Sequence, residues 1–131
     1  MILGIGTDIV SIDRIASSVE SYGHKFIDRI LSDAEKSRIK EPLLDNSNIS
    51  YVAKRFAAKE AFAKAIGLGI GRGINFNDIV ITNDENGKPL LTVPGKEEFL
   101  RSHFTVDKFK IHISISDESK YAIGYCLIEG I

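Results

Sequence analysis

Arg55-Phe-Ala-Ala-Lys59-Glu60-Ala-Phe-Ala-Lys64-Ala-Ile-Gly67 is the stretch on which the fold turns. Alanine and the straight-chain charged residues lose little freedom in a helix. The segment is therefore expected to be helical up to Gly67, a glycine suited to a left-handed C-terminal stop. Asn48 or Ser50 is the expected start. The run of Ala and Phe suits packing against a sheet. Glu60 and Lys64, at i and i+4, project from one face and are able to reach one ligand together, although the same spacing also decorates solvated helices.

Outward toward the N-terminus lies Met-Ile-Leu-Gly4-Ile-Gly6-Thr7-Asp8-Ile9-Val10, an apolar strand interrupted by two glycines and an acid. Strand parity puts Gly4, Gly6 and Asp8 on one face and Leu3, Ile5, Thr7 and Ile9 on the other. Glycine in a strand marks a place where another backbone or a ligand comes close, and a carboxylate there has room for a partner. Alternatively, Asp8 ends the strand or caps the next helix. Toward the C-terminus, Lys110-Ile-His112-Ile-Ser114-Ile-Ser116-Asp117 alternates strictly, with Ile111, Ile113 and Ile115 facing one way and His112, Ser114 and Ser116 the other. A wet-sided antiparallel strand would explain that pattern alone. Three such elements within 131 residues, each bringing charged or hydrogen-bonding groups to a small apolar framework, form a candidate constellation.

The intervening sequence is scaffold. Phe76 to Thr82 reads as a strand, Asn86-Gly87 as a tight turn, and Pro89 to Val93 as the returning strand. Pro94 suits the first turn of a short helix running to about Ser102. Asp117 to Lys120 is a turn between the His112 strand and a last strand, Tyr121 to Ile128. Strands joined by tight turns imply a small antiparallel sheet with the long helix packed across it, an α+β fold over a single domain, 1–131. Short helices after the first strand carry a local basic stretch of Arg14, Lys25, Arg29 and Arg38, and Ser32-Asp-Ala-Glu35 fits a capping box.

A net charge of −1 argues against generic nucleic-acid binding. The first apolar run is too short to span a membrane and lacks the start and cleavage site of a signal peptide, so a cytoplasmic protein with no membrane association is expected. The single Cys126 is expected to be buried and unreactive; it has no second thiol for a disulfide or a thiolate metal site. Mg²⁺ prefers one or two carboxylates, waters and phosphate oxygens, and Asp8 with Glu60 is such a pair. Lys64, one turn from Glu60, is placed to take the remaining charge of a pyrophosphate.

Gly4-Ile-Gly6-Thr7-Asp8-Ile9-Val10, Ile12-Asp13-Arg14-Ile15, Arg55-Phe56-Ala57-Ala58-Lys59-Glu60-Ala61-Phe62 and His112-Ile-Ser114-Ile-Ser116 together resemble, in order and separation, the holo-acyl-carrier-protein synthases, which are phosphopantetheinyl transferases. Gly67-Leu-Gly69-Ile-Gly71-Arg72-Gly73 is similar to the glycine-rich segment that follows the helix in that family. The resemblance implies a 4′-phosphopantetheinyl transferase-like fold. It also implies Mg²⁺-dependent transfer of 4′-phosphopantetheine from coenzyme A to a serine of apo acyl carrier protein, releasing adenosine 3′,5′-bisphosphate, in fatty acid biosynthesis. Asp8, Glu60 and Lys64 would be catalytic, with Asp8 and Glu60 holding the metal. Lys64, Gly67, His112 and Ser114 would contact the coenzyme, and Lys59 would serve either a substrate phosphate or a structural ion pair. Arg14, Lys25 and Arg29 would meet the acidic carrier, and a homotrimer would form the pocket between protomers. The chain departs from the family's pattern at Ala63, where a serine is frequent, and at Asp117, where a histidine is common. The serine proton would go to a metal-bound water or to a carboxylate such as Glu60. A non-catalytic nucleotide or carrier-protein binding module and a Mg²⁺-dependent nucleotide pyrophosphatase are the competing readings.

Overall fold

Alanine dominates the buried side of the long helix, and that decides how close the helix lies to the sheet. In the computed structural model, which describes residues 1–131, the chain runs β1 (Ile2–Ser11), α1 (Ile12–Tyr22), α2 (His24–Ile30), α3 (Asp33–Lys36) and α4 (Asn46–Ile66). A 3₁₀ turn (Phe76–Asp78) then leads to β2 (Val80–Asn83), β3 (Pro89–Thr92), α5 (Glu97–Phe104), β4 (Phe109–Asp117) and β5 (Tyr121–Gly130). The strands β1, β5 and β4 form an antiparallel three-stranded sheet in that order, and β2 pairs with β3 in a separate two-stranded sheet.

Ala53, Ala57, Ala58, Ala61 and Ala65 line the sheet-facing side of α4, all buried. Opposite them stand Gly4 and Gly6 of β1 and Gly124 of β5. A methyl group built on Gly4 or Gly6 would collide with the backbone carbonyl of Ala65 or Ala61, and one on Gly124 would sit 2.5 Å from the Ala57 carbonyl. Helix and sheet thus meet backbone to backbone. Phe62, Ile66, Ile79, Ile81, Leu100 and Ile128 pack around one end of this contact. Val10, Ile15, Val19, Ile27, Ile30 and Val52 pack around the other.

Several boundaries differ from the sequence reading. Helix α4 starts one turn early, because Asp45 caps it by accepting from Ser47 N at 3.0 Å. Asn48 is instead buried, its amide donating to the carbonyls of Lys40 and Pro42, where it anchors the preceding loop. Gly67 ends the helix as expected, at φ 90°. Phe76 begins a 3₁₀ turn, not a strand: Asp78 Oδ2 accepts from Asn75 N at 2.8 Å and curls the chain before β2. The short helix after Pro94 begins at Glu97 and runs to Phe104. The hairpin around Asn86-Gly87 forms its own sheet and does not join that of His112.

The larger correction concerns the face of β1 left bare. Gly4 and Gly6 mark the approach of another backbone, and that backbone is this chain's own α4, so the glycine face is not the one left for neighbouring copies to cover. The uncovered face is the other one, where Ile5 and Ile9 are each 60 % exposed beside Tyr121, Ile123 and Tyr125 of β5. Leu3 departs from this parity because β1 has a bulge between Ile2 and Gly4, which turns it toward the core.

Gly124→Val should destabilise the fold by about 2–4 kcal/mol, since the helix backbone cannot yield as a flexible side chain would. Ser116→Ala, on the open face, should stay within about 0.5 kcal/mol of the parent. Chemical denaturation measures both, and equal small effects would contradict the direct contact of α4 with the sheet.

Candidate active site

Where the edge strand β1 meets α4, parity and helical spacing converge. Asp8 follows Gly4 and Gly6 on the helix side of β1, so its carboxylate emerges just where glycine has let the helix come close. Lys64 reaches across from α4 and donates to Asp8 Oδ1 at 3.2 Å and to the Thr7 carbonyl at 3.0 Å. The Asp8 side chain is 18 % exposed and that of Lys64 55 %, so the cluster opens to solvent on the lysine side. Glu60 stands one turn before Lys64. Burial pushes its carboxyl above the usual range and the negative charge of Asp8 pushes it further, while Lys64 and Arg29 pull it back.

Two carboxylates that repel each other, next to open solvent, form a donor set short of charge compensation. No cluster of three or more His, Cys, Asp or Glu occurs that could hold a metal without help. An oxygen-only pair of this kind suits Mg²⁺, which keeps several waters and takes phosphate oxygens, and suits poorly the fuller nitrogen and sulfur sets favoured by zinc.

The other expected site residues are distributed unevenly. Gly67 lies one turn beyond Lys64 and opens the glycine-rich loop. Lys59 is fully buried, and the structure takes the ion-pair alternative for it: its ammonium donates to Glu35 Oε1 at 2.6 Å and to the carbonyls of Ile30 and Phe76 at 2.8 and 2.9 Å. With its three protons used and no solvent access, it is not available to a substrate phosphate. His112 and Ser114 lie on the outer face of β4, separated from β1 by β5 and facing away from α4. Within one chain they do not meet Asp8. His112 Nε2 is 2.8 Å from Glu129 Oε1, and that hydrogen bond holds the Glu129 carboxyl below its usual value.

Arg14, Lys25 and Arg29 are exposed on α1 and α2. Lys25 and Arg29 border a shallow groove with Tyr22 and Phe26, and Arg29 also borders a second one with Ile70, Gly71 and Asn75–Asn77. Arg38 belongs elsewhere, over the Tyr51 ring at 5.1 Å. Asp117 accepts from Ser50 Oγ at 3.4 Å and ties β4 to the start of α4, while Ala63 is buried. Burial pushes the Cys126 thiol up to about 12, in keeping with an inert core residue. Sequence reasoning missed Glu35 as the partner of Lys59. The capping-box pattern located the residue but not its second use, since Oε1 accepts both from Ser32 N and from Lys59.

A long alanine-rich helix on a glycine-bearing sheet, with two carboxylates and a lysine at their junction, is the arrangement expected of a phosphopantetheinyl transferase. The model of the 4′-phosphopantetheinyl transferase superfamily matches residues 4–126, and the chain belongs to that superfamily. Within it, the chain is 48 % identical over 130 residues to a holo-[acyl-carrier-protein] synthase of Marinomonas sp. (strain MWYL1), covering 98 % of each chain. The crystal structure of the holo-[acyl-carrier-protein] synthase from Neisseria meningitidis superposes with a TM-score of 0.86 at 36 % identity, covering 98 % of this chain and 99 % of that one. That of Helicobacter pylori, in complex with coenzyme A, gives 0.78 at 34 % identity over 95 % and 99 % of the two chains. No helix of this chain is long and apolar enough to cross a membrane.

A raised folded-state pKa means that Glu60 binds its proton more readily folded than unfolded, so stability falls as pH rises through the interval above the ordinary value of 4.5. Glu60→Gln should therefore raise Tm at pH 7 by about 1–3 °C, with the advantage gone well below pH 4.5. Millimolar Mg²⁺ should raise Tm of the parent and not of the variant. Thermal melts across pH, with and without Mg²⁺, read both effects; a parent indifferent to Mg²⁺ would remove Glu60 from a metal site.

Proposed function

We propose that this protein transfers the 4′-phosphopantetheine group of coenzyme A to a serine of an apo acyl carrier protein, as a Mg²⁺-dependent holo-[acyl-carrier-protein] synthase working in the cytoplasm in fatty acid biosynthesis. The observation that carries this reading is the junction of Asp8, Glu60 and Lys64 where β1 meets α4. It stands in a chain similar over nearly its full length to synthases, one of them crystallised with coenzyme A.

In the reaction, the serine Oγ of the carrier forms a bond to the phosphorus attached to pantetheine. The bond from that phosphorus to the bridging oxygen breaks, and adenosine 3′,5′-bisphosphate leaves with the electron pair. Asp8 and Glu60 would hold Mg²⁺, which supplies neutralisation of the pyrophosphate charge when bound. Lys64 holds Asp8 in place and offers its remaining proton to the oxygen that gains charge. The serine proton needs an acceptor, either a water at the metal or a carboxylate such as Glu60. Arg14, Lys25 and Arg29 form an exposed cationic surface suited to steering an acidic carrier.

The bare face of β1 and β5 supports an oligomer. Ile5, Ile9, Tyr121, Ile123 and Tyr125 form a contiguous apolar strip of a kind that monomers seldom leave in water. In a homotrimer this strip is covered by neighbouring copies, and the His112 and Ser114 face of one copy completes the coenzyme pocket of the next.

Mixing the protein with coenzyme A, Mg²⁺ and apo acyl carrier protein should add one phosphopantetheine per carrier, as read by mass spectrometry. Asp8→Ala should lower the rate by about a thousandfold or more with the fold intact. Cleavage of the coenzyme without modification of the carrier would make the protein a pyrophosphatase instead.

Dilution should lower specific activity with the same midpoint as dissociation of the trimer in sedimentation, and coenzyme A should shift that midpoint to lower concentration. A fully active monomer would contradict the pocket between copies.

A further inference from the structure

Lys59 presents a physical puzzle. It is fully buried, desolvation lowers its pKa, and Arg55 adds a second buried cation 3.9 Å from the same Glu35 carboxylate. Buried ion pairs are a poor source of stability, and well-packed apolar residues often do as well or better. What an ammonium supplies and a methylene does not is three directed protons. Those of Lys59 go to the Ile30 carbonyl at the end of α2, to Glu35 of α3, and to the Phe76 carbonyl in the 3₁₀ turn. Glu35 Oε2 in turn accepts from Ile81 N at 2.9 Å, so β2 is tied into the same node.

The two carbonyls belong to the two sides of one groove. Ile30 directly follows Arg29, and Phe76 lies between Asn75 and Asn77; Arg29, Phe76 and the two asparagines all line it. Lys59 itself directly precedes Glu60 on α4, and Arg29 lies close enough to Glu60 to lower its pKa. Apolar packing holds these segments against α4, with Phe56 stacked on Phe76 at 5.4 Å, and the Lys59 nitrogen adds the directed bonds that join the Arg29 side and the Phe76 side to the helix turn bearing Glu60.

We infer that Lys59 is a positioning residue for the transfer reaction: by bonding the Ile30 and Phe76 carbonyls while anchored on α4, it fixes Arg29 and the Phe76 wall relative to Glu60. This role rests on the transferase reading proposed above. A displacement of about an ångström of such walls is enough to slow a reaction by up to two orders of magnitude without touching the reacting atoms.

The test is a double-substitution cycle on transfer from coenzyme A to apo carrier protein. It uses Lys59→Met, Arg29→Ala and the pair together, at a temperature where circular dichroism shows each variant folded. Lys59→Met should lower kcat by about ten- to a hundredfold while the KM for coenzyme A moves less than about twofold. Arg29→Ala should cost clearly less in the Lys59→Met background than in the parent, because its guanidinium is already displaced. A purely structural role predicts a loss that follows the unfolded fraction and multiplies independently with Arg29→Ala; either result would overturn the inference. If Lys59→Met does not fold, Lys59→Gln carries the same cycle, since its shorter side chain keeps a polar end for Glu35 but has only two protons and cannot serve Glu35 and both carbonyls together. A parent protein that transfers nothing would sink the transferase reading and the positioning role together, whereas an active parent with additive variants sinks the positioning role alone.

Discussion

The contact of the α4 backbone with β1 and β5 is the constraint on which the remaining structure depends. Gly4, Gly6 and Gly124 remove the side-chain layer that normally separates a helix from a sheet, and the alanines of α4 complete the approach. Two acids on different elements, Asp8 and Glu60, are brought close enough for one to raise the pKa of the other. With larger residues at those glycines, the same carboxylates would stand farther apart.

That close approach has a cost at the surface. Placing α4 on one face of a three-stranded sheet leaves the other face with nothing of its own to cover it, so isoleucines and tyrosines lie open. On the far side of α4 bulkier residues do the packing, with Ile49 and Val52 buried among Ile15, Val19, Ile27 and Ile30, and Phe56 stacked on Phe76 at 5.4 Å. The Lys59–Glu35 node adds direction to that packing, linking α2, α3, the 3₁₀ turn and β2 to the helix by hydrogen bonds. The interior is thus apolar where helix meets sheet and both apolar and ionic where helix meets the loops.

Electrostatics follow the same division. At the rim, Lys64 compensates only part of the charge of Asp8 and Glu60, and the excess is what a divalent cation and a phosphate-bearing ligand would satisfy. In the core, Glu35 finds donors in Lys59, Ser32 N and Ile81 N, and its charge is spent internally. Two adjacent residues of α4, Lys59 and Glu60, serve these opposite purposes because they point about 100° apart around the helix.

By itself, the sequence determined what depends on local period and residue type. The alanine-rich helix ending at Gly67, the strict alternation around His112, the capping box at Ser32–Glu35 and the shared face of Glu60 and Lys64 were all legible, because each rests on residues within a few positions of one another. The glycines of β1 signalled a close approach, yet only the tertiary structure decided that the approaching group is this chain's own helix, which moved the bare surface to the Ile5 and Ile9 side. It likewise decided the fate of Lys59, for which helix periodicity left both a phosphate and an ion pair open. The deciding partner, Glu35, lies 24 positions away in sequence, and which side chains share a buried space is fixed by packing of distant segments rather than by local pattern.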